Sequence, residues 1–101
     1  MDKVIYKYPV DLLEAAQGKF YLTPPKGYTV LSFQMQGQVP TVWMEVNPDA
    51  PLDKVRAKIY GTGHKFDSKP YDRYIGTVQE GHDGRSGFVW HLYLEDGEIC
   101  D

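Results

Sequence analysis

The sequence predicts a mainly β protein: a single small antiparallel β-sandwich or partly open barrel of about seven strands, with one short N-terminal helix. Three observations predict it. Short stretches of alternating apolar and polar residues recur along the chain. Seven prolines and ten glycines in 101 residues interrupt every apolar run before it reaches helix length. The composition, 42% hydrophobic and 14% aromatic, is enough to bury a core.

The elements follow in order. Residues 3–8 alternate and are rich in β-formers, and Pro9 closes them. Asp11 and Glu14 then stand at the spacing of a capping box. Leu12, Leu13, Ala15 and Ala16 favour helix, and Gly18 stops it after about two turns. Residues 18–23 suit a second strand, and Pro24, Pro25 and Gly27 make a turn. In residues 30–36, Leu31, Phe33 and Met35 share the apolar face. Gly37 breaks the run, and residues 39–46 resume it with Val42, Met44 and Val46 inward. Trp43 falls on the less apolar face, opposite them.

A proline-containing loop leads to residues 55–60, where Val55, Ala57 and Ile59 alternate with Arg56, Lys58 and Tyr60. Residues 61–72 are irregular, and residues 73–79 form a sixth strand with Gly76 inside it. Residues 81–84, Gly-His-Asp-Gly, signal a turn. In the last strand, residues 88–94, Phe88, Trp90, Leu92 and Leu94 point inward and Val89, His91 and Tyr93 outward. Nothing divides the chain, so one domain spans residues 1–101. Residues 95–101 carry four acidic groups and no base, and read as a frayed acidic tail. A sheet this small leaves edges, so a homo-oligomer is expected.

Charge and motifs narrow the function. A net charge of −3 argues against a dedicated duplex nucleic-acid binder. No run approaches the roughly 18 apolar residues of a membrane span, and the start lacks a signal peptide's apolar stretch; no membrane association and a cytoplasmic location are expected. The one cysteine, Cys100, builds neither an internal disulfide nor a four-ligand zinc site. No zinc-protease, Walker or nucleophile-elbow motif occurs. His64, His82 and His91 are scattered, so neither a metal nor a cofactor is expected.

Two segments could hold a ligand. Gly61, Thr62, Gly63 and His64 follow a strand directly. Such a loop can offer backbone N–H groups and a hydroxyl, with Tyr60 as a stacking ring and His64 as a donor, or it can simply turn the chain. Arg56, Lys58 and Tyr60 share one strand face. Two bases and a ring there could hold a phosphorylated ring, or be a solvated surface. Trp43 either packs under a loop or helps build an interface or pocket.

Several segments together resemble a widespread, functionally uncharacterised family of small phage and prophage proteins. They are residues 6–10 (YKYPV), 25–27 (PKG), 30–36 (VLSFQMQ), 39–43 (VPTVW), 59–64 (IYGTGH), 74–77 (YIGT) and 88–92 (FVWHL). Residues 11–18 depart from the family in being longer and more helical. The resemblance implies a small protein of the infected host's cytoplasm and brings no catalytic residues with it. It suggests a counter-defence factor, by association rather than chemistry.

The favoured expectation is a non-enzymatic protein that sequesters a small nucleotide immune signal in an oligomeric pocket. Its ligand-binding residues would be Trp43, Arg56, Lys58, Tyr60, Gly61, Thr62, Gly63 and His64. The alternatives are an inhibitor that docks on a host defence nuclease or effector, and a minor virion component. A hydrolase using one histidine as base ranks below these.

Overall fold

The computed structural model describes residues 2–80 and 88–96. The elements are β1 (Val4–Pro9), α1 (Leu12–Ala16), β2 (Phe20–Leu22), β3 (Thr29–Gln36), β4 (Val39–Val46), β5 (Val55–Gly61), β6 (Asp72–Gln79) and β7 (Val89–Asp96). One sheet has the order β1-β4-β3, the other β2-β5-β7-β6, and every pairing is antiparallel. The architecture is thus a sandwich of two open sheets, not a closed barrel.

Period-two alternation builds the core. Val42, Met44 and Val46 of β4 face Val55, Ala57 and Ile59 of β5 and Leu92 and Leu94 of β7, all at most 2% exposed. Phe33 and Val78 close the side where β3 meets β6. There Gly76 lies so near that an added Cβ would stand 3.3 Å from the Phe33 Cβ. The missing side chain lets the sheets approach, and the β6–β7 register shifts at the same place, between Tyr74 and Gly76.

The helix is shorter than the sequence suggests. Asp11 caps it, its carboxylate accepting the Glu14 N–H at 3.1 Å. It ends after five residues, and Gly18 turns the chain at φ +72°. Ala15 packs into the core while Leu13 stays 71% exposed.

Three other expectations are corrected. The β3–β4 register shifts between Val30 and Ser32, and Leu31 is 48% exposed; Val30 packs against the core in its place. Phe88 precedes β7 and is 65% exposed rather than inward. Glu95 and Asp96 are not frayed: they end β7, opposite Arg56 and Val55. The expected turn at residues 81–84, with His82, and the end of the acidic tail, with Cys100, lie outside the described residues. Among the described residues no helix is long and apolar enough to cross a membrane.

Leu92 joins the two sheets, whereas Leu13 touches mainly solvent. Leu92→Ala is expected to cost about 2–5 kcal/mol. Leu13→Ala should stay within about 0.5 kcal/mol of the parent. Urea denaturation of both variants measures the contrast.

Candidate functional site

The pleat that buries Val55, Ala57 and Ile59 sends Arg56, Lys58 and Tyr60 to the outer face of the four-stranded sheet. Antiparallel register sets their neighbours. Tyr21 lies opposite Arg56, Tyr93 opposite Lys58 and His91 opposite Tyr60. On the far side of β7, Tyr74 lies opposite Tyr93 and Thr77 opposite His91.

At one end of this face the rings cluster. Phe66, from the loop after β5, lies flat on Tyr60, with centroids 3.9 Å apart and planes 10° apart. Tyr93 meets Tyr60 edge-on at 5.7 Å and Tyr74 at 5.4 Å. Burial raises the pKa of the Tyr60 hydroxyl; Lys58 opposes the rise, while Asp72, Glu95 and Tyr93 add to it.

The loop beside the rings uses its glycines differently. Gly63 has φ +89°, a conformation that favours glycine. At Gly61 an added Cβ would stand 2.8 Å from Cε1 of His64, so the bare backbone leaves room for the imidazole. The His64 N–H donates to the Gly61 carbonyl at 3.1 Å and closes the turn. Thr62 continues the β5–β7 ladder, its N–H donating to the Val89 carbonyl at 3.2 Å.

His91 is held from both sides. Its Nε2 lies 2.7 Å from Thr62 Oγ1 and its Nδ1 2.9 Å from Thr77 Oγ1. Thr77 Oγ1 in turn pairs with the Tyr74 hydroxyl. The network ties β5, β6 and β7 together. Each imidazole nitrogen is thereby paired with a threonine hydroxyl.

Two open clefts flank His64. One, of about 260 Å³, is lined by Tyr60, Phe66, Tyr93 and His91 together with residues 61–64. The other, of about 280 Å³, lies between Gly61, Thr62 and His64 on one side and Phe88, Val89 and Trp90 on the other. Trp90 is anchored by its Nε1–H, which donates to Glu80 at 2.7 Å.

The structure separates the residues singled out from sequence. Tyr60, Gly61, Thr62, Gly63 and His64 come together. Trp43 does not join them: it alternates with the buried Val42 and Met44, half-buried on the outer face of the other sheet, between Lys7 and Ser32. Nor do Arg56 and Lys58 form the expected pair of available bases. Lys58 Nζ binds Asp72 at 3.1 Å and Glu95 at 2.7 Å, with side-chain exposures of 12%, 1% and 12%. Arg56 Nη2 donates to the Tyr21 hydroxyl at 2.7 Å.

Phe66 and Tyr93 escape sequence reasoning because one sits in an irregular loop and the other needs the cross-strand register. The segments 74–77 and 88–92 held a usable signal, since the first supplies Tyr74 and Thr77 to the network and the second supplies His91 itself. Among the described residues no group of three His, Cys, Asp or Glu side chains could hold a metal ion.

With this geometry established, the family can be stated: the chain belongs to a domain family of unknown function, DUF7352, which matches residues 1–99. No curated protein and no solved structure matches the chain.

Lys58 makes the sheet sensitive to alkali. Burial by itself lowers its pKa, but hydrogen bonds and attraction from Glu95 and Asp72 outweigh this and raise it above 10.5. The folded state then holds its proton more tightly than the unfolded chain. That stabilisation is complete below the unfolded value of 10.5 and is lost as pH rises through the folded value. Lys58→Met leaves two carboxylates buried together, and is expected to cost about 3–5 kcal/mol at neutral pH. It should also flatten the loss of stability at alkaline pH, as read by urea denaturation across a pH series.

Proposed function

We propose that the protein is a non-catalytic binding module that takes a small nucleotide at the ring cleft. The ligand's flat base lies on Phe66, and its polar edge meets Thr62 and the backbone of residues 61–64. One observation carries the reading. Segments 59–64, 74–77 and 88–92, distant in sequence, bring rings, hydroxyls and a glycine-bounded loop to one end of a sheet. Rings on a sheet face stack bases at about 1–3 kcal/mol per base. Phe66 is 40% exposed above Tyr60, so a third ring extends an existing stack.

The cleft, at about 260 Å³ and open, is smaller than the usual ligand pocket. A whole nucleotide is therefore enclosed only when a second copy closes over the face, and homo-oligomerisation is part of the proposal. The resemblance to phage and prophage proteins supplies the setting. There, stoichiometric capture of a nucleotide immune signal would make the protein a counter-defence factor in the infected host's cytoplasm.

The exposed rings favour a second reading. Tyr74 is 56% and Phe66 40% exposed, and rings of this kind anchor protein interfaces. Under that reading the same face docks on a host defence nuclease or effector.

A panel of cyclic and ADP-ribose-derived nucleotides at micromolar concentration tests the proposal by calorimetry and thermal shift. A ligand at a hundredfold excess over its Kd should stabilise the fold by about 2.7 kcal/mol. Phe66→Ala should remove that gain while leaving the unliganded protein folded. No response to any nucleotide overturns the proposal, and capture of a specific host protein instead promotes the second reading.

A further inference from the structure

The other end of the same face carries a second, separate site. Four residues along β5 from Tyr60, about 13 Å at strand spacing, two cations converge on one ring. Lys54 Nζ lies 4.4 Å and Arg56 Cζ 5.2 Å from the centroid of Tyr21, which is 37% exposed. Neither cation has a carboxylate within ion-pair distance among the described residues. The nearby acids are engaged elsewhere: Asp53 Oδ1 accepts the backbone N–H of Lys54, and Glu95 Oε2, opposite Arg56, binds Lys58.

Arg56 is also incomplete. Its Nη2 donates to the Tyr21 hydroxyl, but its Nε–H is buried without an acceptor. A buried donor left unmade is costly, and folded proteins almost always provide it a partner, an ion included. The fork of Nε and Nη2 matches two oxygens of one oxyanion, which a lysine cannot imitate.

We propose that Lys54, Arg56 and Tyr21 form a phosphate-binding site, for a phosphate group free or esterified. The anion displaces the Tyr21 hydroxyl from Arg56, occupies the guanidinium fork through Nε and Nη2, and takes its second charge contact from Lys54. The released hydroxyl donates to the same anion. Inorganic phosphate has no ring, so this site is tested independently of the ring cleft.

The test follows the Arg56 Nε–Hε resonance of the full chain by NMR during titration with inorganic phosphate, against sodium chloride at equal ionic strength. The expected result is a saturable shift at Arg56, accompanied by the Tyr21 ring signals and absent with chloride. Arg56→Lys keeps the charge and should abolish saturation. Lys54→Gln should weaken binding roughly tenfold, as loss of one charged contact does. Adenosine monophosphate should bind as well. Equal shifts with phosphate and chloride, or full phosphate affinity in Arg56→Lys, overturn the site. Phosphate binding without monophosphate binding overturns its use for esters.

Discussion

The alternation of a single strand organises this protein. Val55, Ala57 and Ile59 of β5 are sealed in the core, so Arg56, Lys58 and Tyr60 have no choice but the outer face. Because β5 lies between β2 and β7, Arg56 meets Tyr21 on one side and Glu95 on the other, while Lys58 and Tyr60 lie opposite Tyr93 and His91 of β7. A slip of one residue would exchange the two sets, placing a guanidinium and an ammonium in an apolar interior. Burial of three aliphatic side chains therefore sets which β5 residues reach the outer face.

That face is graded along β5. In its middle, Lys58 is matched by Asp72 of β6 and Glu95 of β7, which joins three strands by charge. Beyond it lie the rings of Tyr60, Phe66 and Tyr93, and in the other direction Lys54, Arg56 and Tyr21. The central cation is held by the fold, while the rings at one end and the two cations at the other stay partly exposed. The Gly61 to His64 turn gives the ring end its shape: one glycine adopts a left-handed backbone and the other makes room for an imidazole.

Much of the fold was legible in the sequence because strand alternation is local. The strands and the Asp11 cap follow from residue order. Register is not local, and the misreadings trace to it. The bulge after Val30 turns Leu31 outward, which alternation alone could not reveal. Lys58 looked available because Asp72 and Glu95 lie 14 and 37 positions away and meet it only across strands. Trp43 looked like a companion of Tyr60, yet belongs to the other sheet. Within the candidate site, the loop 61–64 was visible from its glycines. Its setting was not: Phe66 comes from irregular chain, and Thr77 reaches His91 only through the β6–β7 pairing.

The central claim is that the ring end of the four-stranded sheet receives a planar ligand. Aromatic carbon–proton NMR spectra, recorded with and without a nucleotide mixture, test it most directly, because a stacked base shifts the ring signals beneath it. The account requires the largest changes at Phe66, Tyr60 and Tyr93, with Trp43 unmoved. Changes centred on Trp43 and the three-stranded sheet, or none on any ring, would contradict it.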